Sequence, residues 1–149
     1  MDLELLHFRS KIIQGIRSFF ADKNYLEADT PALSPTLIPE TCLEVFKTEY
    51  IATKNHSEKN TPLYLVPSPE IYIKKIIAQH KTDIFQVSKC YRNSESVGRI
   101  HNPEFTMLEY YTMNADYIDS MHLTENLFDF LCSEVIAKNQ IAGAHIRTP

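Results

Sequence analysis

Leu5, Phe8, Ile12, Ile16 and Phe19 recur at three- and four-residue steps, and Leu6, Ile13 and Phe20 widen the stripe. That spacing puts apolar side chains on one side of a helix. Arg9, Lys11, Gln14, Arg17 and Ser18 fall elsewhere on the wheel. The N-terminal segment is therefore predicted to be an amphipathic helix. Gly15 either weakens its interior or permits another helix to come close. A short extended piece from Tyr25 to Asp29 follows. Pro31, Pro35 and Pro39 then punctuate an irregular stretch.

Val45 to Ile51 and Leu63 to Val66 read as strands, with a polar, turn-rich loop from Lys54 to Pro62 between them. Ser68-Pro69-Glu70 looks like a helix start: serine at the N-cap, proline at the first helical position, an acid in the positive first turn. Tyr72, Ile73, Ile76 and Ile77 give that helix its apolar side. Ile84 to Arg92 is predicted as a strand and Phe105 to Tyr111 as its antiparallel partner. A last helix runs from about Asp116 to Lys138, with Met121, Phe128, Leu131 and Val135 inward. Gln140 to Pro149 shows no strong pattern. This order of elements implies an α+β fold with a mostly antiparallel sheet.

The 149 residues are a usual size for one domain. With 44% apolar and 23% charged residues the chain has enough apolar material to fold. The net charge of −4 argues against a general nucleic-acid binder, which would show a basic face. Cys42, Cys90 and Cys132 form no C-x-x-C pair, which fits reduced thiols in a cytoplasm better than disulfides or a zinc site. No apolar run is long enough to span a membrane, and no signal-peptide pattern opens the chain.

The chemistry concentrates in residues 91 to 111, YRNSESVGRIHNPEFTMLEYY. Arg92 leads a polar loop, and Arg99, His101 and Asn102 follow. Strand side chains repeat every two residues, so Phe105, Glu109 and Tyr111 share one face. Such a hairpin offers cations for phosphates, an aromatic face for a base, and a carboxylate with a phenol for a cationic or hydroxylated substrate. Taken singly, each residue has a plainer role. Ser68-Pro69-Glu70 caps a helix, Phe105 belongs to the core, Glu109 is a solvated strand residue, and Arg92 and His101 are surface groups. Cys90 reads as packing.

Three segments together resemble the catalytic core of class II aminoacyl-tRNA synthetases, in the lysyl branch. Arg9 to Pro35 is similar to the first class II motif, a helix, strand and proline used in a dimer interface. LYLVPSPEIYIKK, Leu63 to Lys75, resembles the segment that holds the amino acid. RNSESVGRIHNPEFTMLEYY, Arg92 to Tyr111, resembles the second class II motif. Within the branch the wording is most similar to the paralogue that attaches a lysine-type amino acid to elongation factor P. The chain also begins at the first motif, which leaves no room for an anticodon-binding barrel.

The resemblance implies an ATP-dependent ligase, cytoplasmic and homodimeric, that activates lysine or β-lysine. Activation brings two anions together, so cations and preorganised donors are needed. Arg92 would bridge the α-phosphate and the amino-acid carboxylate. His101 and Arg99 would meet the outer phosphates, Phe105 would stack on adenine, and Asn93 and Asn102 would help fix the nucleotide. Glu70, held by Ser68 and Pro69, would pair the α-ammonium, and Glu109 and Tyr111 would complete the amino-acid pocket.

The chain also departs from the family. A glutamate usually follows the arginine-asparagine pair and reads adenine. Here Ser94 takes that place and Glu95 comes next. The glycine-rich third motif is not found, because the only glycines are Gly15, Gly98 and Gly143. The late acidic ligands expected for Mg2+ are not found either. The expectation is therefore an incomplete catalytic domain, with a non-catalytic dimerisation or binding remnant, or a piece of a true lysyl-tRNA synthetase, as the alternatives. Elongation factor P is the expected acceptor and tRNA is not.

Overall fold

The computed structural model describes residues 2–36, 43–51, 60–94 and 98–137. Cys42, Glu95, Lys138, most of the loop expected between Lys54 and Pro62, and the stretch from Gln140 to Pro149 lie outside them. Contacts divide the chain into two compact units. The first takes the described parts of Met1–Glu27, Thr82–Ile84 and Tyr111–Pro149, and the second those of Ala28–Lys81 and Phe85–Tyr110.

In the first unit, helix α1 spans Leu3–Asp22. Asp2 caps it, accepting from the backbone N–H of Glu4 at 2.9 Å and satisfying a donor that the helix leaves open. Its apolar stripe is buried only toward the C-terminal end, at Ile16, Phe19 and Phe20. Leu3, Leu5 and Leu6 are exposed. After α1, the Tyr25 hydroxyl meets Thr112 Oγ1 at 2.5 Å. Strand β1 is short, Leu26–Glu27, rather than running from Tyr25 to Asp29.

The predicted last helix divides in two. Helix α3 is Tyr117–Phe130, closed by a capping box between Asp116 and Asp119. The next seven residues, Leu131–Ala137, form a π-helical segment. The inward row runs at four-residue steps: Leu123 is half-buried, and Leu127, Leu131 and Val135 are buried. Met121 and Phe128, expected inward, are 56% and 62% exposed. One residue along a helix turns the side chain by about 100°, so Phe128 cannot share the Leu127 row.

Gly15 shows why α1 carries a glycine. A Cβ there would lie 2.8 Å from Val135 Cγ2 and 2.9 Å from Leu131 Cδ2. The glycine lets the π segment approach the helix, the second of its two expected roles.

In the second unit, β2 (Leu33–Ser34), β4 (Thr61–Leu65) and β3 (Lys47–Tyr50) form an antiparallel sheet in that order. β3 is shorter than the predicted Val45–Ile51, and β4 starts ahead of the predicted Leu63. Pro62 sits in this central strand opposite Glu49 of β3; the Leu65 N–H bonds Phe46 on the β3 side, so alternation turns position 62 toward the β2 side, where the pairing stops at Ser34 and Tyr64. Helix α2 is Glu70–His80, with Ile73 fully buried.

Strand β5 (Ile84–Tyr91) and strand β6 (Glu104–Tyr111) form a hairpin in a second sheet, ordered β1–β5–β6. Leu26 donates to the Asp83 carbonyl, and Ala28 to the Phe85 carbonyl. Donor and acceptor both advance by two residues, so β1 runs parallel to β5. The hairpin pair is antiparallel: Arg92 at its closing end donates to the Pro103 carbonyl at 3.0 Å. The α+β architecture with mostly antiparallel pairing and flanking helices is thus as expected.

Candidate nucleotide and amino-acid site

The β5–β6 hairpin positions the candidate phosphate ligands. Its closing bond fixes Arg92 at the mouth of the loop. Asn93 is held from the other side, donating its backbone N–H to the Glu44 carbonyl at 2.9 Å. Ser94 then turns left-handed, with φ 57°, and its N–H reaches the Asn93 side-chain oxygen at 3.0 Å. Residues other than glycine rarely adopt that conformation, and asparagine next to the turn compensates with its own acceptor. On the return side, Gly98 donates to the His101 carbonyl at 3.0 Å.

The Arg92 guanidinium lies over the Phe105 ring, 5.2 Å from its centroid. This cation–π contact orients a flexible cation against a flat apolar face. Arg92, Ile100, His101, Asn102 and Phe105 line one open cleft of about 170 Å³. His101 and Asn102 are exposed, and Arg92 and Phe105 half-buried. A cation beside an aromatic plate, with exposed nitrogen donors next to both, suits a phosphorylated planar base.

The structure thus gathers four of the predicted nucleotide ligands: Arg92, His101, Asn102 and Phe105. Asn93, Ser94 and Arg99 do not line the cleft, and Glu95 is outside the described residues. Glu109 is half-buried on β6. Its charge reaches Cys90, as does that of Arg92. Burial pushes the Cys90 thiol above its usual range. The Ser88 hydroxyl opposes that rise, Glu109 adds to it and Arg92 opposes it. Cys90 is fully buried, which fits the packing role read from the sequence. Tyr111 ends β6 and is half-buried in the first unit.

The helix start at Glu70 keeps the expected serine cap. Pro69 stands just before the helix with its backbone already helical, φ −78° and ψ −2°. The Ser68 hydroxyl accepts a hydrogen bond from the Glu70 N–H at 3.4 Å, which is the capping contact read from the sequence. Pro69 cannot donate, and its buried ring fixes the entry into the first turn. Glu70 is therefore the first helical residue, where a carboxylate meets the positive end of the dipole. Its carboxylate is already paired with Lys74, one turn on. The sequence reading did not single out Lys74, although a glutamate four residues ahead of a lysine marks such a pair.

Comparison with known proteins decides the family. A family model described as tRNA synthetases class II (D, K and N) matches residues 3–149. The chain belongs to this class II family. An elongation factor P–(R)-β-lysine ligase from Baumannia cicadellinicola is 34% identical over 95% of the chain and 44% of its own length. A ligase of the same description from Vibrio atlanticus is 40% identical over 80% of the chain and 36% of its own length. A lysine–tRNA ligase from Psychrobacter cryohalolentis is 37% identical over 89% of the chain and 24% of its own length. The chain thus spans less than half the length of each. Among the described residues no three His, Cys, Asp or Glu side chains gather as a metal site. No described helix is long and apolar enough to cross a membrane.

Proposed function

We propose that this class II chain carries the nucleotide and amino-acid binding surfaces of an ATP-dependent ligase for lysine or β-lysine. The observation that carries the reading is the Arg92 guanidinium set over Phe105 in a cleft with His101 and Asn102. In this reading Arg92 neutralises the α-phosphate and steers the incoming carboxylate. Phe105 stacks on adenine, His101 and Arg99 meet the outer phosphates, and Asn93, Ser94, Glu95 and Asn102 frame the nucleotide. Glu70 receives the α-ammonium, and Glu109 is the second carboxylate proposed for the amino acid. Lysine-type relatives support the substrate class.

The acceptor proposed is elongation factor P. The net charge of −4 supports a protein acceptor, because tRNA binding draws on phosphate contacts with cations. Free Cys90 and Cys132 fit a reducing cytoplasm. A second reading, a dimerisation module without turnover, draws on the exposed Leu3, Leu5 and Leu6 of α1.

Titration of the labelled chain with millimolar ATP, followed by nuclear magnetic resonance, tests the nucleotide site. Shifts at His101, Asn102 and Phe105 are expected to shrink strongly in Arg92→Ala and Phe105→Ala, since stacking on a base is worth about 1–3 kcal/mol. Shifts that persist unchanged in both variants would overturn the assignment. The acceptor is tested by offering the whole gene product both acceptors with labelled lysine and β-lysine. Label on tRNA alone would remove elongation factor P from the proposal.

A further inference from the structure

Strand β3 is the outer strand of its sheet among the described residues, because the order is β2–β4–β3. Its residues are all exposed, and Ile51 just after it is 73% exposed. Phe46 turns its carbonyl to β4, where it accepts from Leu65 at 3.0 Å. Backbone groups on one edge of a strand recur every second residue, so those of Thr48 and Tyr50 also face β4. The N–H and C=O groups of Lys47 and Glu49 point the other way, to an edge that no described strand covers. Such an edge is a template for a further strand.

The side chains decide which strand fits. Lys47 and Glu49 stand two residues apart and share one face of the sheet. Neither has an ion pair among the described residues. Glu49 accepts from the Asn60 amide at 3.4 Å, a long contact between exposed groups. A lone lysine on an edge turns away a second copy by repulsion. A lysine followed two places on by a glutamate does the reverse. Laid antiparallel against itself about Thr48, the segment VFKTEYI sets Lys47 opposite Glu49 twice. It also sets Phe46 opposite Tyr50, Val45 opposite Ile51, and Thr48 opposite itself. Opposite charges that face each other across a sheet are favourable, and like charges are not. The backbone agrees with this register. Lys47 and Glu49 both turn their groups outward, so each can exchange two hydrogen bonds with the residue it opposes.

We propose that β3 pairs with β3 of a second copy of this chain, antiparallel about a two-fold axis at Thr48. The contact is isologous, the same patch serving both copies. VFKTEYI spans roughly 24 Å when extended, and one such ribbon buries less than a stable dimer needs. The pairing is therefore weak, populated toward millimolar rather than micromolar concentration. It is separate from any contact through α1, which belongs to the other compact unit.

Disulfide trapping tests it. In this register Thr48 faces its own copy as a non-hydrogen-bonded pair, with Cα atoms about 4.5 Å apart, within reach of a disulfide. Tyr50 lies about 14 Å from its own copy, which is out of reach. Thr48→Cys and Tyr50→Cys, both at exposed positions, are each placed in a Cys42→Ser, Cys132→Ser chain and oxidised at millimolar concentration. Thr48→Cys is expected to form a covalent dimer more than about tenfold faster than Tyr50→Cys. Lys47→Glu or Glu49→Lys, added to Thr48→Cys, should each slow the reaction about tenfold, and mixing the two variants should restore it. Equal rates at positions 48 and 50 would overturn the proposal and leave the edge to a different strand. Charge variants that change nothing, alone or mixed, would overturn it too. Cross-linking that disappears with Leu5→Glu would do the same and assign the contact to α1.

Discussion

Replacing Gly15 by alanine sets two effects of known sign against each other. In a helix interior alanine is favoured over glycine by about 0.8–1.0 kcal/mol. Against that gain, the new Cβ would sit 2.8 Å from Val135 Cγ2 and 2.9 Å from Leu131 Cδ2. Carbon atoms are at ease near 3.5–4.0 Å, so each contact is short by more than half an ångström. Leu131 and Val135 are each 8% exposed and have little room to retreat. Valine is also stiff at χ1. Overpacking of this kind costs about 1–3 kcal/mol. The balance is a net loss of about 1 kcal/mol, or about 2–4 °C in melting temperature for a chain of this length. Urea unfolding of wild type, Gly15→Ala, Val135→Ala and the double variant measures it. Val135→Ala removes one side of the clash, so the double variant should be about 1 kcal/mol more stable than additivity requires. A stabilised Gly15→Ala that adds simply to Val135→Ala would refute the close approach of the π segment.

Asp116→Ala removes the capping box of α3 and should cost about 0.5–2 kcal/mol in the same unfolding assay. A loss below a few tenths would mean that the box contributes nothing. The thiol of Cys90 is raised above its ordinary value in the folded chain, so the unfolded chain loses this proton first as pH climbs. Stability should be fully present below about pH 9 and decline above it, and Cys90→Ala should flatten that alkaline slope. An unchanged slope would show that the thiol does not drive it. If α1 carries a two-fold contact, wild type sediments as a dimer at micromolar concentration and Leu5→Glu as a folded monomer. A monomeric wild type would remove the dimer proposal.

The hairpin was legible because two independent periods coincide there. The alternation in FTMLEYY marks a strand, and the polar loop before it marks the turn. Family resemblance gave Arg92 and Phe105 to one nucleotide but not to each other, and their contact was not legible, because alternation gives a face but no distance. The helix α3 core was misread at Met121 and Phe128. The inward row steps by four into the π segment, and no residue type announces that change of winding. Gly15 was read as either a weakness or a contact point, and only the Leu131 and Val135 side chains separate the two. The Ser68 cap was legible, because serine before proline and an acid is a helix-start pattern, and the Ser68 hydroxyl does accept from the Glu70 N–H.

If Glu70 receives an ammonium group, as proposed, its pairing with Lys74 makes that recognition a competition. An incoming ammonium finds the position already filled by a cation fixed one helical turn away. A group tethered at short range acts at an effective concentration of about millimolar. A bare amine far below that level would lose to Lys74. A ligand that also brings a carboxylate to Arg92 gains a second point of attachment and can displace it. The resident lysine would thus make Glu70 selective for molecules with both an amino and an acid group, with no change in the shape of the pocket.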